Sequence, residues 1–267
     1  MAAEVLRWRE GRLVPASAGA PLLVADSFLL DAGTVVALDV HRDRFLRSIA
    51  SAEVARVADG PVPLADATGF WSSAVAALPR QGAWFPRIEL VQTPAGPEYG
   101  LAVRPAPPLG RLVTALTWDG PDPRRVPSVK GPDLEALLRL REAGRERGAD
   151  EVVLLVDGAV AEGTTSSLAW WRDGVLCVPA DDLHRVAGVT EACVIAMAVE
   201  AGVAVRRERR RPDELDACEV WVLNALHGIR GIERWAGGPA VTAPGARLDE
   251  WRSRLAALAR PLPTLRP

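Results

Sequence analysis

Short hydrophobic runs that alternate with turn-forming residues fill the first hundred positions of the chain. Such runs predict β-strands, and a turn that contains Gly between two of them predicts a hairpin. The predicted strands are 6–8, 13–14, 22–30, 35–40, 87–91 and 99–104. A helix is predicted over 41–57, where Phe45, Ile49 and Val54 share one apolar face.

The second half of the chain has clearer signals for both kinds of element. The predicted helices are 133–148, 188–202 and 248–258, and the predicted strands are 151–156, 159–162, 168–171, 175–178 and 219–224. Asp133 and Thr190 stand at the N-cap positions of the first two helices. Because strands and helices are mixed without a regular βαβ alternation, the pattern predicts an α+β fold.

A turn-rich, charged segment divides these two halves. Residues 118–125 read Trp-Asp-Gly-Pro-Asp-Pro-Arg-Arg, a composition typical of a linker. We therefore predict a smaller N-terminal α+β domain over 1–118, a linker over 119–126 and a larger C-terminal domain over 127–267. A chain of 267 residues is long enough for two domains that each have a hydrophobic core.

The composition excludes several classes of protein. Lys+Arg 32 against Asp+Glu 34 gives no broad basic field for nucleic acid, and no apolar run is long enough to cross a bilayer. We therefore expect no nucleic-acid or membrane partner. The N-terminus lacks the pattern of a signal peptide, so we expect a cytoplasmic protein. Cys177, Cys193 and Cys218 are too far apart for a local metal site, so we expect buried structural thiols and no metal centre.

The cationic residues have an unusual composition. Of the 32, Lys130 is the single lysine and all the others are arginines. Arginine can replace lysine where only charge is needed, but a guanidinium stays protonated and is a poor nucleophile. Lys130 is therefore retained either for its amine or by chance in an arginine-biased chain, and the surrounding motifs must decide between the two.

Six short motifs follow one another along the chain. They are His41-x-x-Arg44-Phe45, Lys130, Ala149-Asp150-Glu151, Glu162-Gly163-Thr164-Thr165-Ser166-Ser167-Leu168, Gly188-Val189-Thr190 and Glu219-Val220-Trp221-Val222-Leu223-Asn224-Ala225-Leu226. In this order they resemble the class IV aminotransferases, the fold-type IV pyridoxal-phosphate enzymes, over about residues 22–57 and 127–235. The resemblance implies a two-lobed fold similar to that of D-amino-acid aminotransferase.

The resemblance implies catalytic roles for two residues. Lys130 would hold pyridoxal 5'-phosphate as a Schiff base and move protons at the α-carbon of the substrate. Glu162 would be the acidic partner of the pyridine nitrogen, where a carboxylate keeps the ring protonated. A charged residue that merely ends a hairpin strand is the alternative for Glu162.

The resemblance also implies a set of residues that bind the cofactor phosphate. Val189 and Thr190 would present N–H groups at a helix N-terminus, where the partial positive charge favours an anion. The backbone of Asn224 and Ala225 would add further donors, and Arg44 would clamp the same phosphate. Taken alone, Thr190 is a good helix cap and Arg44 is a solvated helix residue.

The chain also departs from the family pattern. No tyrosine follows Lys130, Ser167 and Glu191 replace a common asparagine and arginine, and Tyr99 is the single tyrosine. Residues 25–30, Ala-Asp-Ser-Phe-Leu-Leu, stand where the family usually has a glycine- and acid-rich stretch.

The single tyrosine argues against a transaminase that relies on tyrosines around the ring, and the run Asn224-Ala225-Leu226 and the compact length resemble those of 4-amino-4-deoxychorismate lyase. We therefore expect a lyase that releases pyruvate and an aromatic amine. An amino-acid transaminase that uses an α-keto acid and a catalytically degenerate binding protein are the alternatives. The family implies a small amino-acid-like substrate and a homodimer. The nine tryptophans of the chain would either face the second copy or fill the cores.

Overall fold

The computed structural model describes residues 4–264. Its helices are α1 Leu38–Ile49, α2 Ala52–Val57, α3 Ala67–Ala76, α4 Leu134–Glu146, α5 Val189–Glu200 and α6 Ala246–Ala256. Its strands are β1 Glu4–Arg9, β2 Arg12–Pro15, β3 Leu22–Ser27, β4 Leu30–Asp31, β5 Thr34–Val36, β6 Ala83–Trp84, β7 Arg87–Thr93, β8 Gly96–Val103, β9 Leu112–Thr117, β10 Glu151–Val156, β11 Ala159–Gly163, β12 Ser167–Arg172, β13 Val175–Pro179, β14 Val205–Glu208, β15 Glu219–Asn224, β16 Gly228–Ala236 and β17 Ala259–Pro261. This mixture confirms the predicted α+β class. None of the helices in these residues has the length and hydropathy of a membrane-spanning segment.

The chain forms two compact units that are not continuous in sequence. The first contains the chain up to Pro108, Val129–Pro132 and the residues from Leu258 onward, and the second contains Leu109–Ser128 and Asp133–Ala257. These bounds differ from the predicted division at 118 and 126 because strand pairing joins distant segments. β9 pairs with β10 and β16 in the second unit, whereas β17 pairs with β5 in the first.

The first unit contains a five-stranded antiparallel sheet and a smaller sheet. The strand orders are β2-β1-β8-β7-β3 and β17-β5-β4-β6. Aromatic side chains of α1 and α3 pack on the larger sheet, where the ring of Phe70 stacks on that of Tyr99 with centroids 4.8 Å apart. Phe45 of α1 contacts both rings, so the apolar face predicted for this helix does lie in the core.

The chain before and within the predicted helix differs from the sequence pattern. The strand predicted over 35–40 ends at Val36, and α1 begins at Leu38. The helix predicted over 41–57 is two helices, because the Ser51 hydroxyl accepts a hydrogen bond from Val54 N and caps the start of α2. Apolar periodicity continues through the break and cannot reveal it.

The second unit contains an eight-stranded mixed sheet of order β11-β10-β9-β16-β15-β12-β13-β14. The two predicted hairpins, β10 with β11 and β12 with β13, are confirmed. In their turns Asp157 and Asp173 have φ of +51°, and a glycine follows each with φ of +77° or +76°. Positive φ at both central residues is the conformation that Asp-Gly favours in two-residue turns.

The two predicted helix caps have different outcomes: Asp133 is the N-cap residue of α4, whereas Thr190 is not the N-cap of α5. The side chain of Asp133 makes no capping bond to α4, because its Oδ2 accepts from Arg125 N at 2.9 Å and Val126 N at 2.7 Å. The N-cap of α5 is Gly188, and Thr190 lies within the first turn of that helix. A Cβ at Gly188 would overlap Ser167 Oγ, so the close approach of β12 favours glycine at this position.

The short segment Val129–Pro132 is bonded to β3. Ala25 N donates to the carbonyl oxygen of Lys130 at 2.7 Å. The next residue, Gly131, has φ of +143°, and a Cβ there would lie 2.9 Å from Ala25 N and from the backbone of Val24. Backbone conformation and space therefore both require glycine after Lys130.

We expect Gly131→Ala to destabilise the protein by about 3 kcal/mol or more, because the new methyl group meets backbone atoms that cannot move aside. Gly174→Ala is the control, since Gly174 has φ of +76° but a Cβ added there would have no other atom within 4 Å. The control should cost only about 1 kcal/mol. Urea unfolding of both variants measures the difference, and equal losses would contradict the close approach.

Candidate functional site

The predicted site residues occur in both units. Arg44 and Lys130 belong to the first, and the others, Glu162, Val189, Thr190, Asn224 and Ala225, belong to the second. Arg44 and Lys130 are each placed by a contact with β3, Arg44 through its side chain and Lys130 through its backbone.

Asp26 of β3 joins two side chains of α1 in a buried cluster. Its Oδ2 accepts from Arg44 Nε and its Oδ1 from Arg44 Nη2, each at 2.9 Å. His41 Nδ1 lies 2.6 Å from Oδ1. Burial raises the pKa of Asp26, but the opposing charges of Arg44 and His41 bring that pKa well below its ordinary value. The cluster therefore contains a carboxylate that fixes the Arg44 guanidinium.

His41 is buried within the same cluster. Burial lowers its pKa below the ordinary value, although the Asp26 carboxylate acts in the opposite direction. The positive charges of Arg44 and Lys130 lower that pKa further. His41 thus supports Asp26 and lies within the electrostatic range of Lys130.

Glu162 lies near the end of β11 in the second unit, and both of its carboxylate oxygens accept hydrogen bonds. Arg124 Nη1 donates to Oε1, and Val186 N donates to Oε2 at 3.2 Å. Arg124 also pairs with Asp122 at 2.6 Å, and only 1% of its side chain is exposed. The segment predicted to be a linker thus supplies a buried cation to the predicted acid.

The protonation of Glu162 responds to pH near neutrality. Burial raises its pKa to about 7, while the charge and hydrogen bond of Arg124 and the N–H of Val186 act to lower it. A carboxyl with such a pKa can hold or release a proton under physiological conditions.

Glu151 of β10 holds the loop that follows Glu162. Thr164 Oγ1 donates to Glu151 Oε1 at 2.5 Å, and Ser166 Oγ donates to Oε2 at 2.8 Å. Arg230 Nη2 lies 3.4 Å from the same carboxylate. Between these two hydroxyls, Thr165 Oγ1 is buried and has no hydrogen-bond partner within residues 4–264. A buried hydroxyl without a partner is a candidate ligand contact.

Three segments of the second unit meet at one end of its sheet. Ser167, the first residue of β12, pairs with Leu223 of β15, and Asn224 follows directly. Gly188 lies against Ser167, because a Cβ on this glycine would be 3.3 Å from Ser167 Cβ. The loop after Glu162, the start of α5 and the turn after β15 therefore lie together.

The start of α5 and the turn after β15 offer backbone donors. Val189 and Thr190 are buried in the first turn of α5, where N–H groups have no intrahelical acceptor. Asn224 Oδ1 accepts from Leu226 N and His227 N at 3.2 and 2.8 Å, so its side chain stabilises its own turn. Such backbone donors suit an anionic group.

Three residues of this arrangement were missed as site residues by sequence reasoning. Asp26 gives a weak signal as an acid within an apolar strand, and Glu151 opens an apolar strand in the same way. Arg124 gives none, because it lies among turn-forming residues that are typical of a linker.

The raised pKa of Glu162 predicts a specific pH dependence of stability without added cofactor. The folded state binds the proton more tightly than the unfolded chain, so the stabilisation from this proton is lost as pH rises through about 7. Relative to Glu162→Gln, the wild-type free energy of unfolding should fall by about 2 kcal/mol between about pH 5 and about pH 8. Urea unfolding measures this, with the exposed Glu146→Gln as control. A constant difference would contradict the raised pKa.

Comparisons with known protein families and with curated sequences indicate the same class of protein. The profile of a family described as amino-transferase class IV matches residues 23–235. An aminodeoxychorismate lyase of Vibrio harveyi is 31% identical over 117 residues, 43% of this chain and 41% of that protein. A branched-chain-amino-acid aminotransferase of Escherichia coli (strain K12) is 30% identical over 95 residues, 34% of this chain and 31% of its own length. The chain thus matches less than half the length of these relatives.

Solved structures of lower identity resemble nearly the whole chain. A fold IV transaminase from Curtobacterium pusillum has a TM-score of 0.70 at 22% identity and covers 96% of this chain and 97% of its own. The branched-chain amino acid aminotransferase of Escherichia coli has a TM-score of 0.73 at 20% identity, with 96% and 94% covered. A PLP-bound hypothetical aminotransferase from Mycobacterium tuberculosis has a TM-score of 0.74 at 16% identity, with 96% and 98% covered. These likenesses confirm the predicted fold-type IV architecture.

Proposed function

The chain belongs to the amino-transferase class IV family, and we propose that it is a pyridoxal 5'-phosphate-dependent enzyme in which Lys130 binds the cofactor. One observation carries this proposal. Lys130 is the single lysine of an arginine-rich chain, its carbonyl oxygen is bonded to β3, and the close approach to that strand requires glycine directly after it. A residue needed only for its charge would not require this placement.

The chemistry of the available groups fits this cofactor. An aldehyde reacts with a primary amine, which Lys130 alone supplies among the side chains. A protonated pyridine nitrogen is stabilised by a neighbouring carboxylate, and the buried Glu162, with a pKa of about 7, can supply one.

The groups for the phosphate fit as well. A phosphate dianion suits the first turn of α5, with Val189 and Thr190, and the guanidinium of Arg44. The buried Thr165 hydroxyl has no partner within residues 4–264 and lies in the loop that reaches this turn, so it is a further candidate contact.

When bound, the cofactor supplies an electron-accepting ring that stabilises negative charge at the α-carbon of an amino compound. Lys130 Nζ is the group that would take up and return the proton there. Glu162 would hold the ring nitrogen in its charged form, and the positive charge of Arg124 acts against burial to lower the pKa of this carboxyl group. The backbone of Val189, Thr190, Asn224 and Ala225 would orient the phosphate end.

Within this class we propose a lyase that releases pyruvate and an aromatic amine, as 4-amino-4-deoxychorismate lyase does. The single tyrosine supports this choice over a transaminase that relies on tyrosines around the ring. Tyr99 is buried, stacks on Phe70 and donates its hydroxyl to the carbonyl oxygen of Pro63 at 3.1 Å. It serves the core of the first unit. A transaminase that uses an α-keto acid is the second candidate, because curated relatives of both kinds have similar identity.

A cytoplasmic location, a homodimer and a small amino-acid-like substrate are proposed on the family resemblance alone. The tryptophans lend the homodimer little support, since many fill the cores. The buried ones are Trp71, Trp170, Trp171, Trp221, Trp235 and Trp251. Light scattering on the purified protein measures the assembly directly.

We expect the purified protein with pyridoxal 5'-phosphate to show a visible absorption band that borohydride abolishes, with one cofactor attached at Lys130. Lys130→Arg keeps the charge but removes the nucleophile, so it should lose the band and at least about 1000-fold in activity. Peptide mass spectrometry locates the attachment. The control is the double variant Lys130→Arg with Arg145→Lys, which places a lysine at an exposed position elsewhere on the protein. This variant should not regain the band. A wild type without the band, at saturating cofactor, would contradict the proposed function.

The substrate requirement separates the candidate activities. A lyase should form pyruvate and the aromatic amine from 4-amino-4-deoxychorismate without any added keto acid. A strict requirement for an α-keto acid would identify a transaminase. A protein that binds the cofactor at Lys130 but turns over neither kind of substrate would be the catalytically degenerate relative.

A further inference from the structure

We propose that Asp26 is a positioning residue that orients the Arg44 guanidinium toward a phosphate and thereby sets the affinity of the site for phosphorylated over unphosphorylated cofactor. The proposal rests on the proposed function, since it takes Arg44 to be a phosphate ligand. It concerns a residue for which the sequence motifs implied no role.

The geometry of the Asp26 carboxylate fixes the plane of the guanidinium. Two parallel bonds join Arg44 Nε and Nη2 to the two oxygens of Asp26, each at 2.9 Å. Such a bidentate pair defines both the position and the rotation of the guanidinium, which a single bond would not. The rotamer entropy that an arginine otherwise loses on binding an anion is therefore lost during folding instead.

Burial keeps this arrangement in place. The Asp26 side chain has no exposed surface, and 11% of the Arg44 side chain is exposed. Removing one partner of a buried pair leaves a charge without compensation, so the two side chains are held together. His41, one turn before Arg44 on α1, binds the same carboxylate and prevents it from turning away.

The strand that carries Asp26 also holds the backbone of Lys130. Ala25, the preceding residue, donates to the Lys130 carbonyl oxygen at 2.7 Å. Two adjacent residues of β3 therefore set the backbone of the lysine and the guanidinium of Arg44 within one unit. A cofactor held at its aldehyde and phosphate ends needs these two groups at a constant separation.

Simple electrostatics predicts the opposite effect of Asp26 on the affinity for phosphate. A carboxylate beside Arg44 reduces the net positive charge that a phosphate meets, so it could weaken binding. Orientation and charge compensation thus predict opposite changes when the carboxylate is replaced by an amide.

The experiment compares two ligands that differ only in the phosphate. Dissociation constants of pyridoxal 5'-phosphate and pyridoxal are measured for the wild type, Asp26→Asn and Asp26→Glu by tryptophan fluorescence and by the visible band. We expect Asp26→Asn to weaken pyridoxal 5'-phosphate binding about tenfold while pyridoxal binding changes little. Inorganic phosphate should compete less well by a similar factor. Asp26→Glu keeps a carboxylate and should recover part of the loss.

Two further variants test whether Asp26 acts through Arg44. Arg44→Lys keeps a positive charge without the planar fork, so adding Asp26→Asn to it should cause no further change in the ratio of the two affinities. Glu89→Gln is the matched control, because Glu89 is a buried carboxylate of the same sheet that pairs with Arg7 at 2.7 Å. It should leave the ratio unchanged.

The remaining outcomes of this experiment contradict different parts of the argument. A wild type without a borohydride-sensitive band overturns the proposed function and not merely the role of Asp26. Equal weakening of both ligands in Asp26→Asn shows a structural role only, and tighter binding of the phosphorylated ligand shows charge compensation. If Asp26→Asn does not fold, the test passes to Arg44→Lys, which removes the planar fork that Asp26 holds; an unchanged affinity ratio in folded Arg44→Lys overturns the proposal.

Discussion

The close contact between β3 and the backbone around Lys130 is the constraint on which the first unit's part of the site depends. A hydrogen bond from Ala25 N fixes the carbonyl of Lys130, and Gly131 provides the space for that approach. The amine is flexible along its side chain, but its backbone is fixed to the strand that carries Asp26. A reaction at the Lys130 amine requires a fixed backbone, because small displacements of a reacting group strongly reduce the reaction rate.

Buried carboxylates position the other elements of both units. Asp26 binds the Arg44 guanidinium, and Glu151 accepts hydrogen bonds from two hydroxyls of the loop after β11. Glu162 forms an ion pair with the buried Arg124. A buried carboxylate without such partners would be costly, so each acid selects one arrangement of its neighbours. Glu151 shows the consequence most directly, since the two hydroxyls that it binds flank Thr165, whose own hydroxyl has no partner within residues 4–264.

Local signals in the sequence predicted the elements whose formation is local. The hairpins at Asp157 and Asp173 were predicted correctly, because Asp-Gly favours the required turn wherever it occurs. β9 and β16 were missed, because they are defined by parallel pairing with each other across more than a hundred residues. The site residues came from a family resemblance. The contact partners Asp26 and Arg124 depend on tertiary packing, which no spacing in the sequence reveals.

The interleaving of the two units limits how this chain could be recombined with its relatives. A chimaera that exchanged only the residues up to Pro108 would take β5 without its partner β17, and β3 without the lysine-bearing segment Val129–Pro132. The other parent would therefore have to supply a strand that pairs with β5 and a glycine that allows the close approach of its lysine segment to β3. Successful recombination should be confined to parents that already share the backbone path at these two junctions.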